Sequence, residues 1–191
     1  MIDDRYKVIS IDIPRTACSE RIRLIAGMPW GEIPEEVVRE KYWNEIPKHA
    51  RASIYMAHSP DKFSTYFKFS FVRNPWARMV SFFKYRLRSA EAMDFTRYII
   101  KDPFGDLRSQ QIDYLTDRNG KILVDFIGRF ENLYEDFEKI CQQIKFNGKL
   151  KYLPERLNFN YWSYYDDKTR KIVARKFRGD IENFGYSFLE K

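Results

Sequence analysis

The stretch FKFSFVRNPWARMVSFF, Phe67 to Phe83, constrains the fold more than any other part of the chain. An apolar, aromatic run of strand character ends at Arg73. Asn74-Pro75 follows, and then a helical pattern puts Met79, Val80, Phe83 and Leu87 on one face. A strand, a short turn and a helix in immediate succession open a βα unit, and such units build parallel sheets. Arg73 stands at the expected carboxyl end of the strand, where an arginine beside apolar residues needs a partner. Ser81 follows eight residues on, and Arg78 lies in the first turns of the helix. Arg73 and Ser81 can converge on one anion if the helix folds back over the strand. No acid lies between Asp61 and Glu91, whereas Lys68, Arg73, Arg78, Lys84, Arg86 and Arg88 all do. A solvated basic helix accounts for Lys84, Arg86 and Arg88, but poorly for Arg73.

A similar unit stands upstream. YKVISIDI (Tyr6–Ile13) reads as a buried strand, IPRTACSE as a loop, and RIRLIAGM as a helix stopped by Gly27. A helix start turns unpaired N–H groups and the positive end of its dipole toward the loop. Thr16 and Ser19 add hydroxyls, and Arg15 adds a fixed charge with forked donors. This is the physics of a phosphate loop, although the G-x-x-x-x-G-K-[ST] pattern is missing. The plain alternative is a capped helix, with Thr16 or Ser19 as the cap and Arg15 in solvent. Cys18 does not read as a phosphatase nucleophile. That loop requires an arginine six residues on, where this chain has Leu24. Cys18 is expected to be a small residue packed in a tight turn.

The remainder keeps the alternation. IPEEVVREKYWNEI reads as a helix, and Pro47–Phe63 as partly helical. Short helical pieces fill 94–117, including SQQIDYL. Lys121–Phe130 reads as a third strand or strand-like segment. The following helix carries Leu133, Phe137, Ile140, Cys141 and Ile144 inward, and a last helix opens at Asp166 and Asp167. There Ile172, Val173 and Phe177 face the core. An α/β fold with a largely parallel sheet follows, with ligands expected beyond the carboxyl ends of the strands. A single domain over 1–191 suits the length. The net charge of +7 favours anionic partners. Two cysteines make no disulfide scaffold, which points to a reduced compartment. Asp3 and Asp4 stand where a signal peptide needs basic residues, and no segment approaches the ~20 apolar residues of a membrane span. A soluble, cytoplasmic location is expected.

The two loops together resemble the sulfotransferases that use 3′-phosphoadenosine-5′-phosphosulfate (PAPS), specifically the carbohydrate-type branch. The family's first loop reads roughly I-P-K-T-x-G-T-S, here IPRTACSE. Its second reads F-V-R-[DN]-P-x-x-R-x-x-S, and FVRNPWARMVS matches at every specified position. VDFIGRFENLYEDFEKI and YYDDKTRKIVARKFRGDIENFGYSF extend the resemblance over nearly the whole chain. It implies a P-loop-like three-layer α/β/α fold with a central, mostly parallel sheet. It implies that Arg73 and Ser81 hold the 3′-phosphate, and that Thr16 and Ser19 cradle the 5′-phosphate with the amides of Ala17, Cys18 and Ser19. Arg15, where the family has lysine, would stabilise charge on the leaving phosphate. PAPS would be the co-substrate and PAP the product, with no metal involved.

Sulfuryl transfer to a hydroxyl needs a general base. The chain has two histidines, His49 and His58. PKHARA resembles a lysine–histidine segment that precedes the second loop in relatives, which favours His49 over His58. The expected partner is a hydroxyl-bearing acceptor, a carbohydrate by resemblance, with no nucleic acid. The loop departs from the family at Arg15, Cys18 and Glu20. A catalytically impaired nucleotide- or anion-binding protein is therefore the alternative. A nucleic-acid binder using the basic faces at 68–88 and 168–178 ranks last, since no such motif is present. Phe159–Tyr165 could stack on a sugar ring or pack in the core. Oligomeric state is open.

Overall fold

The computed structural model describes residues 1–27, 46–87, 93–106, 109–150 and 160–189. The helix expected over IPEEVVREKYWNEI lies almost wholly outside the described residues, as do Arg88 and Phe159. The strands and α-helices run in the order β1 (Ile2–Asp3), β2 (Val8–Ile11), α1 (Cys18–Ala26), α2 (Ala52–His58), α3 (Pro60–Thr65), β3 (Phe67–Val72), α4 (Pro75–Arg86), α5 (Phe95–Lys101), α6 (Ile112–Leu115), β4 (Phe126–Arg129), α7 (Leu133–Gln143), α8 (Asp167–Lys176) and α9 (Arg178–Phe184). They form two compact units.

The first unit, Met1–Val72 with Asp113–Tyr152, holds the sheet. Its order is β1-β2-β3-β4. β2 pairs with β3 in parallel, Val8 opposite Phe67 and Ile11 opposite Ser70. β3 pairs with β4 in parallel, Phe69 opposite Phe126 and Val72 opposite Arg129. Parallel strands are buried on both faces, which is why β2 has no polar alternation. Val8, Ile9, Ile11, Phe69 and Phe71 are all buried. Ser70 joins them because its hydroxyl donates to the Ile11 carbonyl at 2.7 Å. The expected mostly parallel α/β arrangement is present. β2 and β3, being parallel, end at the same edge of the sheet.

Two details differ from the sequence reading. β1 is antiparallel to β2, with Ile2 opposite Ile9. Only two residues long, it gives no periodic signal. The third strand spans Phe126–Arg129 rather than Lys121–Phe130. A turn at Gly120 (φ 80°) bends the chain, and Asp117 accepts from the amides of Asn119 and Lys121. Ile122 therefore bridges back to Thr116. On α7, Leu133, Phe137, Ile140 and Cys141 are buried, as is Ile144 just beyond it, matching the expected inward face.

The second unit, Arg73–Ile112 with Leu153–Lys191, is helical. Trp76, Met79, Val80, Phe83, Phe95, Tyr98, Ile99, Val173 and Phe177 form its core. Leu87, expected on the apolar face, is 40% exposed because α4 ends one residue earlier. Arg86, read as solvated, makes two bonds to Asp106, 2.8 and 3.1 Å. α8 opens on a capping box, with Asp166 accepting from the Thr169 amide at 2.7 Å. Tyr161 is buried, and Tyr164 and Tyr165 pack against the same core. Trp162 alone among these aromatics is largely exposed, at 46%. Among the described residues, no helix is long and apolar enough to cross a membrane.

Candidate active site

In the first unit, the turn after β2 passes through Asp12, Ile13, Pro14 and Arg15 into α1. Arg15 (φ 69°) and Ala17 (φ 61°) both adopt the left-handed region. That conformation is strained for residues with a Cβ, and it recurs at ligand sites where surrounding structure enforces it. Left-handed residues alternating with ordinary ones turn backbone N–H groups toward one side, which makes a concavity for anions. The Thr16 hydroxyl donates to the Ile13 carbonyl at 2.9 Å, and its side chain is fully buried. Thr16 thus ties the loop to the end of the strand. Ser19 is exposed in the first turn of α1.

Cys18, the first residue of α1, is buried, as expected of a packed turn residue. Burial pushes its thiol pKa up and nearby Asp12 adds to the shift, so it stays a thiol at neutral pH. Arg21, one turn on, is completely buried. Its Nη1 donates to the Thr16 carbonyl, and its guanidinium lies 4.1 Å from the centre of the Phe71 ring.

His49 is brought to this loop. Its Nδ1 is 2.7 Å from the backbone carbonyl of Asp12. A carbonyl only accepts, so Nδ1 carries the proton and the neutral ring keeps its lone pair on Nε2. His49 is itself left-handed, at φ 61°. His58 differs. It sits at the exposed end of α2 with Nδ1 2.9 Å from the neighbouring Ser59 hydroxyl.

In the second unit, the Arg-Asn-Pro turn explains itself locally. Asn74 caps α4, its side chain accepting from the amides of Trp76 (3.1 Å) and Ala77 (3.4 Å). Pro75 fills the first helical position, where no N–H is needed. Arg73 is buried, and Gln111 grips its backbone on both sides. Gln111 Oε1 accepts from the Arg73 amide at 2.8 Å, and Nε2 donates to the Arg73 carbonyl at 2.7 Å. Nε2 also reaches Asp180 Oδ2 at 3.3 Å, while Asp180 Oδ1 accepts from the Ile112 amide at 2.9 Å. Gln111 and Asp180 are both fully buried. Burial raises the Asp180 pKa, while Gln111, Ile112 and Arg78 restrain the shift. Arg78, buried too, donates to the Ser109 carbonyl at 3.4 Å and lies near the Phe82 and Phe177 rings. Ser81 is half-buried on α4.

The geometry adds Arg21, Gln111 and Asp180 to the residues read from the sequence. Arg21 sat inside RIRLIAGM, an amphipathic pattern in which an arginine passes for a surface residue. Gln111 and Asp180 sat inside SQQIDYL and DIENFG, where nothing in the pattern tells a buried polar residue from a surface one.

A profile of the sulfotransferase family matches residues 1–187. The chain belongs to that family, and its mostly parallel sheet with flanking helices agrees with the family's α/β fold. It is similar to an uncharacterised protein of Archaeoglobus fulgidus, 36% identical over 115 residues, which cover 58% of this chain and 88% of that one. It is also similar to carbohydrate sulfotransferase 12 of Xenopus laevis, at 24% identity over 97% of this chain and 59% of the relative. Carbohydrate sulfotransferase 9 of Homo sapiens is 24% identical over 94% of this chain and 47% of its own length. The chain spans about half the length of these two carbohydrate sulfotransferases. No solved structure matches it.

Proposed function

We propose that the protein is a PAPS-dependent sulfotransferase acting on a hydroxyl of a carbohydrate or related small acceptor. The observation that carries this reading is the hydrogen bond from His49 Nδ1 to the Asp12 carbonyl, at the mouth of the anion loop. It supports a base at Nε2, because the other ring nitrogen is held by the backbone that leads into the loop. The residues fit such a group: two left-handed positions, the N-terminus of a nine-residue helix, and Arg15. The carbohydrate class rests on the named activities of the relatives.

In this reading Arg73 and Ser81 bind the 3′-phosphate, and the amides of Ala17, Cys18 and Ser19 bind the 5′-phosphate with the Ser19 hydroxyl. Thr16 contributes by fixing the loop. The co-substrate supplies the sulfuryl group when bound. His49 Nε2 takes the acceptor's hydroxyl proton as the new oxygen–sulfur bond forms and the bond from sulfur to the bridging phosphate oxygen breaks. Arg15 stabilises the charge that gathers on the departing phosphate.

His49→Asn tests the base. Asparagine tolerates the left-handed region and its amide can still donate to the Asp12 carbonyl, but it cannot accept a proton. Transfer to an acceptor is expected to fall by about 10²- to 10⁴-fold, with PAP affinity unchanged. Unchanged turnover excludes His49 as base. A second reading, a nucleotide binder without transfer, is favoured by Glu20, an acid in the first turn of α1 beside the loop. It is distinguished by PAP binding without turnover on any acceptor of a hydroxyl panel.

A further inference from the structure

Arg21 is a charged side chain with no accessible surface. Arginine is almost never buried unless its donors are matched. Here one donor is matched, Nη1 to the Thr16 carbonyl. Among the described residues, Nε and Nη2 are buried with no hydrogen-bond partner. The guanidinium carbon sits 4.1 Å from the centre of the Phe71 ring, a contact that attracts the charge but satisfies none of its N–H groups. Burial pulls its pKa below the ordinary value despite the acids Asp12 and Glu20 nearby. A core this costly would be improved by an apolar side chain, unless the charge serves the loop above it.

The link to the loop is one peptide plane. In a trans peptide the C=O and the following N–H point in opposite directions, and among the described residues no peptide is cis. Drawing the Thr16 carbonyl onto Arg21 therefore turns the Ala17 N–H away from Arg21. Ala17 is one of the two strained residues of the loop, at φ 61°. The Arg21 bond supplies the enforcement that such a conformation needs.

We propose that Arg21 is a positioning residue of the anion loop: it locks the Thr16–Ala17 peptide so that the Ala17 N–H is presented to a bound phosphosulfate, and it keeps a buried positive charge against the loop. The proposal rests on the reading of this loop as the 5′-phosphosulfate cradle. Arg21 itself need not touch the ligand. The site is then built at the expense of the empty fold, and a bound anion restores the balance.

The test compares wild type, Arg21→Met and Arg21→Lys by calorimetry and thermal melting, with PAP, 5′-AMP and inorganic pyrophosphate as probes. Arg21→Met is expected to melt at or above the wild-type temperature without ligand, yet to bind PAP and AMP each about tenfold or more weakly. Its ligand-induced melting shift should shrink accordingly. The ratio of PAP to AMP affinity should not change, because the 3′-phosphate is bound elsewhere. Arg21→Lys, which keeps the charge and one donor, should recover part of the affinity. A purely structural arginine gives the opposite pattern, a lower melting temperature with wild-type affinity, and that result overturns the proposal. Should Arg21→Met fail to fold, wild-type affinity in Arg21→Lys together with a lower melting temperature overturns it equally. Wild-type protein that binds pyrophosphate but does not prefer PAP to AMP defeats the donor reading alone. The Arg21 proposal then stands or falls on whether Arg21→Met loses pyrophosphate. Wild-type protein that binds none of the three probes defeats both.

Discussion

Gln111 places both ends of its amide on the backbone of Arg73, 38 positions away in sequence. The amide side chain does there what a neighbouring strand would do, satisfying N–H and C=O where the chain leaves β3. Gln111→Leu strips both partners in a buried setting, where each unsatisfied group costs about 1–3 kcal/mol. Urea unfolding should show a loss of about 2–4 kcal/mol. If Gln111 also aims Arg73, PAP affinity should fall more than AMP affinity in the same variant. Asp180 behind it carries a pH signature. Its folded pKa is raised above the ordinary 3.8, so between the two values the folded state holds more protons than the unfolded one. Stability from this group is therefore highest below 3.8 and is lost as pH rises through the folded pKa. The wild type minus Asp180→Asn difference in unfolding free energy should decline as pH rises through that window. A flat or rising difference contradicts the assignment.

At the scale of elements, the two strand–turn–helix pieces were legible because their signals are local. Asn74 and Pro75 announce the start of α4 by capping and by a missing N–H, and both work within one turn. β1 was not legible, since two residues carry no period and its pairing is decided by β2. Arg21 and Gln111 escaped for a related reason. Their burial depends on Phe71 and on Asp180, which come near only after the sheet and helices have packed. Gly128 of β4 lies opposite Phe71 in the sheet. A Cβ there would stand 2.5 Å from a ring atom of Phe71, which is fully buried and cannot move aside easily. Gly128→Ala should cost about 1–3 kcal/mol in stability. Because Phe71 underlies Arg21, it should also weaken pyrophosphate binding. Wild-type stability in that variant would show that the ring has room to turn.

For the molecule as a whole, the proposed reading assigns one ligand to two separate stretches of chain. Arg15 to Ser19 follow β2 in the first unit, and Arg73 and Ser81 belong to the second. Family membership accounts for both stretches. PAPS and its product PAP carry a 3′-phosphate that 5′-AMP lacks. The most direct measurement is a calorimetric titration of the wild-type protein with PAP and, separately, with 5′-AMP. A charge-assisted site for the 3′-phosphate is worth about 1.5–3 kcal/mol, so PAP should bind at least tenfold or so more tightly than AMP. Arg73→Ala should erase that preference while leaving AMP binding intact. Equal affinity for PAP and AMP in the wild-type protein would contradict a PAPS-reading role for Arg73 and Ser81.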